Sequence, residues 1–228
     1  MGKIDYNDSR NAHRRIKICV SGAADTTHCG DGALDIAKEL GREIVRQGAV
    51  IVTGATTGWP LWSTIGAKEE GGLSIGVSPA STEKEHVEEW GLPIDYLDVI
   101  IYTGQGFSGR DILLTRTTDA VILGCGRIGT IHEFTVAFED GKPIGILEGC
   151  WDTDETLKTI LERGHRPNDK IVFDSDPKRL VAKIIEMVET DKERLNKEGL
   201  MKGIQSQDGV KRGWFDCKSF VKITKKRP

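Results

Sequence analysis

A glycine-rich turn, residues 123–133, constrains this chain more than any other segment. The β-type run 119–123 is typical of a buried strand, and the periodic run 130–139 predicts a helix. Glycine permits positive φ and close backbone approach. A glycine-rich turn that opens a helix presents free N–H groups at the positive end of the helix dipole. The segment therefore predicts a strand–turn–helix unit with an anion site, most often for a phosphate.

Short apolar runs alternate with helical patterns along the chain. The predicted strands are residues 16–20, 49–52, 73–77, 99–102, 119–123, 142–147 and 171–173. This alternation predicts an α/β fold, a Rossmann-like doubly wound sheet of about seven mainly parallel strands with helices on both faces. Ligands of such sheets bind outside the carboxyl ends of the strands, near the switch in strand order. We expect the glycine-rich turns to meet at that edge.

The 228 residues allow one sizeable domain. We expect a flexible arm over residues 1–14, a single nucleotide-binding domain over 15–190 and a C-terminal extension over 191–228. The chain shows neither a signal peptide nor a membrane-spanning run, so we expect a cytoplasmic protein without a membrane partner. The net charge of −3 gives no reason to expect nucleic-acid binding, and the basic run 218–227 is typical of a solvated tail.

Five cysteines are present, an odd number, and none form a C-x-x-C pair: Cys19, Cys29, Cys125, Cys150 and Cys217. This spacing indicates no zinc site and no disulfide framework, so we expect reduced cysteines. The histidines and carboxylates also show no metal-ligand spacing. We therefore expect a site with no metal and no resident cofactor.

Two general patterns compete within the central turn. Gly124-x-Gly126-x-x-Gly129 matches the dinucleotide fingerprint, and Glu148 follows the next strand where a ribose-binding acid belongs. This pattern predicts an NAD(P)-binding oxidoreductase, although here it follows the fifth predicted strand rather than the first. Thr130-x-x-Glu133 also reads as a capping box, which would give Glu133 a structural role.

The same turn resembles a family motif. Residues 126–133, G-R-I-G-T-I-H-E, resemble the G-G-x-G-T-x-x-E motif of the LOG ("lonely guy") family, once labelled putative lysine decarboxylases. The resemblance is strong over residues 108–147, looser back to residue 16, and includes residues 52–58 as the family's second glycine-rich turn. It extends to related carriers of molybdenum cofactor.

This resemblance implies binding of a nucleoside 5′-monophosphate, often by a homodimer. In active members it implies hydrolysis of the N-glycosidic bond to free base and ribose 5-phosphate, with Arg110 and Glu133 as the catalytic pair. The predicted phosphate- and nucleotide-binding residues are Gly22, Gly54, Thr57, Gly58, Gly126, Arg127, Ile128, Gly129 and Thr130.

Arg110 and Glu133 are residue types that suit hydrolysis of an N-glycosidic bond. Cleavage of a ribosyl–base bond builds positive charge on the ribose, which a carboxylate at Glu133 could stabilise. A guanidinium at Arg110 could hold phosphate or carboxylate oxygens. Three departures, Asp111, Cys125 and Arg127, stand where active members usually have lysine, proline and glycine. Asp111 and Arg127 favour the alternative of a non-catalytic nucleotide or cofactor carrier or sensor.

Three aromatic or imidazole side chains near these turns leave alternatives open. Trp59 and Trp62 flank the second glycine-rich turn, where they could stack on a base or pack in the core or a dimer contact. His132 is expected to be a packed or surface histidine.

Overall fold

The computed structural model describes residues 9–166 and 168–197 of the chain. The basic run 218–227, Cys217 and most of the expected C-terminal extension lie outside the described residues. The chain divides into two compact units, Met1–Glu189 and Thr190–Pro228. The first unit holds the whole sheet, and the expected arm includes a short 3₁₀ helix, Ser9–Arg14.

Strands and helices alternate strictly along the described chain. The strands are β1 Lys17–Ser21, β2 Val50–Thr53, β3 Ser74–Ser78, β4 Val99–Tyr102, β5 Ala120–Leu123, β6 Ile144–Leu147 and β7 Ile171–Asp174. The helices are α1 Ala33–Arg46, α2 Trp59–Glu69, α3 Gly106–Thr117, α4 Ile128–Glu139, α5 Thr153–Arg163 and α6 Pro177–Lys197, with a π-helical turn at Glu85–Glu89. None of the helices described is long and apolar enough to cross a bilayer.

The seven strands form one parallel sheet in the order β4-β3-β2-β1-β5-β6-β7, which confirms the predicted fold. Alternate side chains of a strand point into two hydrophobic cores, one on each face of the sheet. Ile18 and Val20 face the core covered by α1, α2 and α6, whereas Cys19 faces the core covered by α3, α4 and α5. Strands buried on both faces read as continuous apolar runs, which is why the sequence shows runs such as 119–123.

The order of the strands reverses between β1 and β5. The chain moves outward from β1 to β4, then returns through α3 to place β5 on the other side of β1. The helices that follow β1 and β5 therefore cover opposite faces of the sheet, which forms a crevice at its carboxyl edge. That crevice holds the central glycine-rich turn.

One expectation is wrong, because Cys29 and Cys125 form a disulfide across 96 residues of sequence, with their Cα atoms 5.7 Å apart. Cysteine spacing carries no information about this pair, since the fold alone brings the β1–α1 loop against the β5–α4 turn. Cys19 is a buried free thiol and Cys150 an exposed one.

Candidate functional site

Trp59 lies buried beneath the crevice rather than on its surface. It opens α2, is fully buried and meets Trp151 edge to face, with ring centroids 5.0 Å apart. A Cβ added at Gly22 or at Gly124 would overlap the Trp59 indole. Both glycines are thus explained by close packing on a tryptophan, which leaves no indole face for a ligand base. Trp62 is partly buried and packs against the same core.

The start of α4 faces open space. The first helical hydrogen bond runs from the Ile131 N–H to the Arg127 carbonyl at 3.1 Å, so the N–H groups of residues 128–130 lie ahead of it. The Ile128 side chain is 79% exposed, and a Cβ added at Gly129 would meet nothing within 4 Å. An anion can therefore approach these N–H groups, which carry the positive end of the helix dipole.

Gly126 is held differently from the residues that follow it. Its N–H donates to Thr153 Oγ1 at 2.8 Å, and its carbonyl accepts from the same hydroxyl at 3.0 Å. A Cβ at Gly126 would overlap the Thr130 side chain, which is buried beneath the turn. Gly126 therefore ties the turn to the start of α5 and leaves anion contacts to the residues after it.

The capping-box interpretation is wrong. Arg127, rather than Thr130, occupies the N-cap position, and no side chain caps the helix. The Glu133 side chain instead turns toward the sheet, where its Oε2 accepts a short hydrogen bond from the Ser21 hydroxyl at the end of β1. Glu133 is 7% exposed, so its carboxylate lies inside the crevice wall.

Four charged or titratable side chains meet between α3 and α4. Arg110 Nη1 lies 3.8 Å from Glu133 Oε1, and Arg110 Nε lies 3.3 Å from Asp111 Oδ1. His132 Nδ1 lies 2.9 Å from Asp111 Oδ2. Arg110 and Asp111 are both buried, at 6% and 5% exposure. The structure thus brings the predicted catalytic pair together and adds Asp111 and His132 to it.

Gly54, at the carboxyl end of β2, makes room for this group. A Cβ there would overlap the Arg110 guanidinium, which also lies 5.7 Å from the Phe107 ring centroid. Arg110 Nε has no hydrogen-bond partner among the described residues. Its nearest acceptor is the ion partner Asp111 Oδ1 at 3.3 Å, so a ligand acceptor better aligned with this N–H would be stabilising.

Burial dominates the electrostatics of the group. It raises the pKa of Glu133 to about 7, helped by the neighbouring Asp111 carboxylate and opposed by Arg110 and the Ser21 hydrogen bond. The Cys19 thiol beneath Glu133 has its pKa raised, first by burial and then by the Glu133 charge. Glu133 therefore changes its charge near neutral pH.

The remaining predicted binding residues lie on the β2–α2 turn and at the start of α4, and all contact the loop after β1. The Thr57 hydroxyl donates to the Ala24 carbonyl at 3.1 Å, and Gly58 has a φ of +65° against the same carbonyl. The exposed Arg127 side chain pairs with Asp25 at 3.4 Å. None of these three lies among the Arg110–Glu133 contacts.

Sequence reasoning missed Ser21 as a partner of Glu133 and treated Asp111 only as a departure from a motif. Their positions in the sequence were the available signal. Ser21 ends the first strand beside a glycine, and Asp111 adjoins the predicted catalytic arginine. Glu148, the acid of the dinucleotide pattern, forms an ion pair with Lys158 at 3.0 Å.

Comparison with known proteins found relatives in sequence and in fold. An uncharacterized protein of Archaeoglobus fulgidus is 29% identical over 133 residues, which span 58% of this chain and 82% of the relative. The molybdenum cofactor binding protein of Rippkaea orientalis is 26% identical, with a TM-score of 0.62 over 78% of this chain and 98% of that chain. The molybdenum cofactor carrier protein of Chlamydomonas reinhardtii is 28% identical, with a TM-score of 0.61 over 77% of this chain and 99% of that chain.

The sequence model of the SLOG cluster4 family matches residues 15–181, which include every strand, both glycine-rich turns and the Arg110–Glu133 group. This match confirms the LOG-like resemblance of the central turn. The chain belongs to the SLOG cluster4 family.

Proposed function

We propose that this chain binds a nucleoside 5′-monophosphate at the carboxyl edge of its sheet and hydrolyses the N-glycosidic bond. The observation that supports it most is the buried Arg110–Glu133 pair beside the open start of α4. The helix start supplies N–H donors for a phosphate. Glu133 lies little more than one helical turn further along α4, a separation that suits a ribose bound between phosphate and carboxylate.

Glu133 acts in this proposal as a carboxylate. Water adds at the anomeric carbon, the bond from that carbon to the base nitrogen breaks, and the base leaves with a proton. The positive charge that develops on the ribose is stabilised by the Glu133 carboxylate, which the Ser21 hydroxyl and Arg110 orient. Because burial raises the pKa of Glu133 to about 7, turnover should increase as the pH rises through that value.

The test is incubation with AMP, GMP, CMP and UMP, followed by chromatography for free base. Glu133→Gln keeps the shape of the side chain and is expected to abolish base release. Glu139→Gln removes an exposed carboxylate from the same helix and should leave release unchanged. If no nucleotide yields base, or if the Glu133 variant equals the wild type, the hydrolase proposal is wrong.

A non-catalytic carrier or sensor of a nucleotide or cofactor is the second candidate. Asp111 supports it, because it ties Arg110 and His132 into an internal network where a freely available arginine would serve catalysis better. The similarity to two proteins described as binding or carrying molybdenum cofactor supports it as well. Ligand-dependent thermal stabilisation with no base release from any monophosphate would favour this candidate over hydrolysis.

The dinucleotide alternative has less support. Gly124 packs on Trp59 and the Gly126 N–H is already bonded to Thr153, so neither glycine offers its backbone to a pyrophosphate. A titration with NAD(H) and NADP(H) is expected to show no binding at millimolar concentration. Saturable binding that competes with AMP would restore this alternative.

A homodimer is also proposed. β4 is an edge strand, and its Val99 and Ile101 side chains are 48% and 46% exposed. Exposed apolar side chains on one face of an edge strand are typical of a surface covered by a second protein. Light scattering after size exclusion is expected to give twice the chain mass, and Ile101→Lys to give the monomer mass.

A further inference from the structure

A second cluster of ligand-type side chains lies where the central turn meets the loop after β1. His28 and Cys29 belong to the loop after β1, and Cys125 belongs to the turn itself. Each offers one ligand atom, and the His28 nitrogen and the two sulfurs all lie within 4.8 Å of one another. No step of the proposed hydrolysis uses this cluster.

We propose that His28, Cys29 and Cys125 form a Zn²⁺ site once the Cys29–Cys125 disulfide is reduced. Two thiolates and one imidazole are a donor set that zinc favours, and three protein ligands leave a fourth position open. His28 Nε2 lies 3.5 Å from Cys125 Sγ and 3.9 Å from Cys29 Sγ. A tetrahedral zinc ion with ordinary Zn–N and Zn–S bonds places such atoms about 3.6 Å apart.

The two sulfurs must separate before they can bind one ion. They are bonded to each other in the oxidised chain, and tetrahedral zinc would hold them about 3.8 Å apart. Cys29 and Cys125 are buried and sit on separate loops, so a small shift of these loops after reduction would separate the sulfurs without moving a strand. His28 is exposed, so the ion can enter from solvent, and the Gly126 carbonyl lies 3.4 Å from its Nε2.

A dithiol can serve as the reductant of the Cys29–Cys125 disulfide. The dithiol transfers two electrons and two protons to the disulfide, becomes a cyclic disulfide itself and leaves Cys29 and Cys125 as thiols. Zn²⁺ then displaces one proton from each thiol and accepts a lone pair from His28. Oxidation and metal binding therefore exclude each other, because the same sulfur atoms serve both.

The experiment uses the full chain, reduced with a phosphine, freed of metal with a chelator and titrated with Zn²⁺ or with Co²⁺ as a coloured probe. The reduced wild type is expected to bind one ion per chain and to show thiolate-to-cobalt absorption. The oxidised chain is expected to show neither. A control variant, Cys150→Ser with Cys217→Ser, retains the three ligands and should behave as the wild type.

Cys29→Ser and Cys125→Ser are expected to lose the cobalt absorption. His28→Ala should weaken binding by at least about tenfold, since even outer-shell partners contribute about 10- to 100-fold. Circular dichroism checks that each variant is folded. Alkylation of the reduced wild type needs no variant. Zn²⁺ should protect the Cys29 and Cys125 thiols from the alkylating reagent but leave Cys150 reactive.

Two results would overturn the proposal. One is a reduced wild type that binds no Zn²⁺ and shows no protection from alkylation. The other is binding that persists in both cysteine variants or disappears in the Cys150/Cys217 control, because either would place the ion elsewhere.

Discussion

Replacing Glu133 by glutamine tests the electrostatics of the site without any assumption about its substrate. Burial raises the pKa of this carboxyl from its ordinary 4.5 to about 7 in the folded chain. A raised carboxyl pKa means that the folded state holds a proton which the unfolded state has already released. The folded chain is therefore favoured below pH 4.5, and that contribution is lost as the pH rises through about 7.

The magnitude follows from the two pKa values. Each pH unit between 4.5 and about 7 costs about 1.4 kcal/mol of folding free energy, which gives about 3 kcal/mol in total once Glu133 is ionised. Glutamine keeps the hydrogen-bonding shape of the neutral acid and carries no charge. The variant is therefore expected to match the wild type near pH 4 and to exceed its stability by about 2 to 3 kcal/mol at pH 8.

The assay is urea unfolding of both proteins at several pH values, compared at each pH so that other titrating groups cancel. Glu139→Gln, which removes an exposed carboxylate from the same helix, controls for the change in net charge. If the stability difference between wild type and Glu133→Gln stays constant from pH 4 to pH 8, the pKa of Glu133 is not raised by burial and the reasoning is wrong. A variant that is less stable at pH 8 would show that the Arg110 ion pair outweighs desolvation.

Three further predictions concern the glycines of the site and the disulfide. Gly124→Ala should lower the free energy of unfolding, measured in urea, by about 1–3 kcal/mol, because the added methyl overlaps Trp59. Gly129→Ala should be neutral or stabilising by up to about 1 kcal/mol, because its methyl meets open space. Equal losses of stability in the two variants would contradict this packing. Gly54→Ala should displace the Arg110 guanidinium and reduce any base release by about 100-fold while the chain stays folded; unchanged turnover would count against the placement. Reduction of the disulfide should lower the free energy of unfolding by about 2–4 kcal/mol, and identical urea curves before and after reduction would show that the bond does not form in solution.

Much of the fold is readable from local pattern. The seven strands were expected within one or two residues of their observed bounds, because each is a short run rich in apolar residues between turn residues. Helix starts were less accurate, since α4 begins at Ile128 and not at Thr130. The glycines of the central turn permit either start, so local pattern does not distinguish the two.

Local sequence was enough to predict the class of fold and the proximity of Arg110 to Glu133, because each depends on residue type over a short span or on a family motif. The anion site at the turn stays a prediction. The packed fold set three other features. It assigned Gly22 and Gly124 to Trp59, it directed Glu133 to Ser21, and it joined Cys29 to Cys125. Each of these contacts joins residues at least 35 positions apart, and such distances are set by how strands order in the sheet rather than by any local pattern.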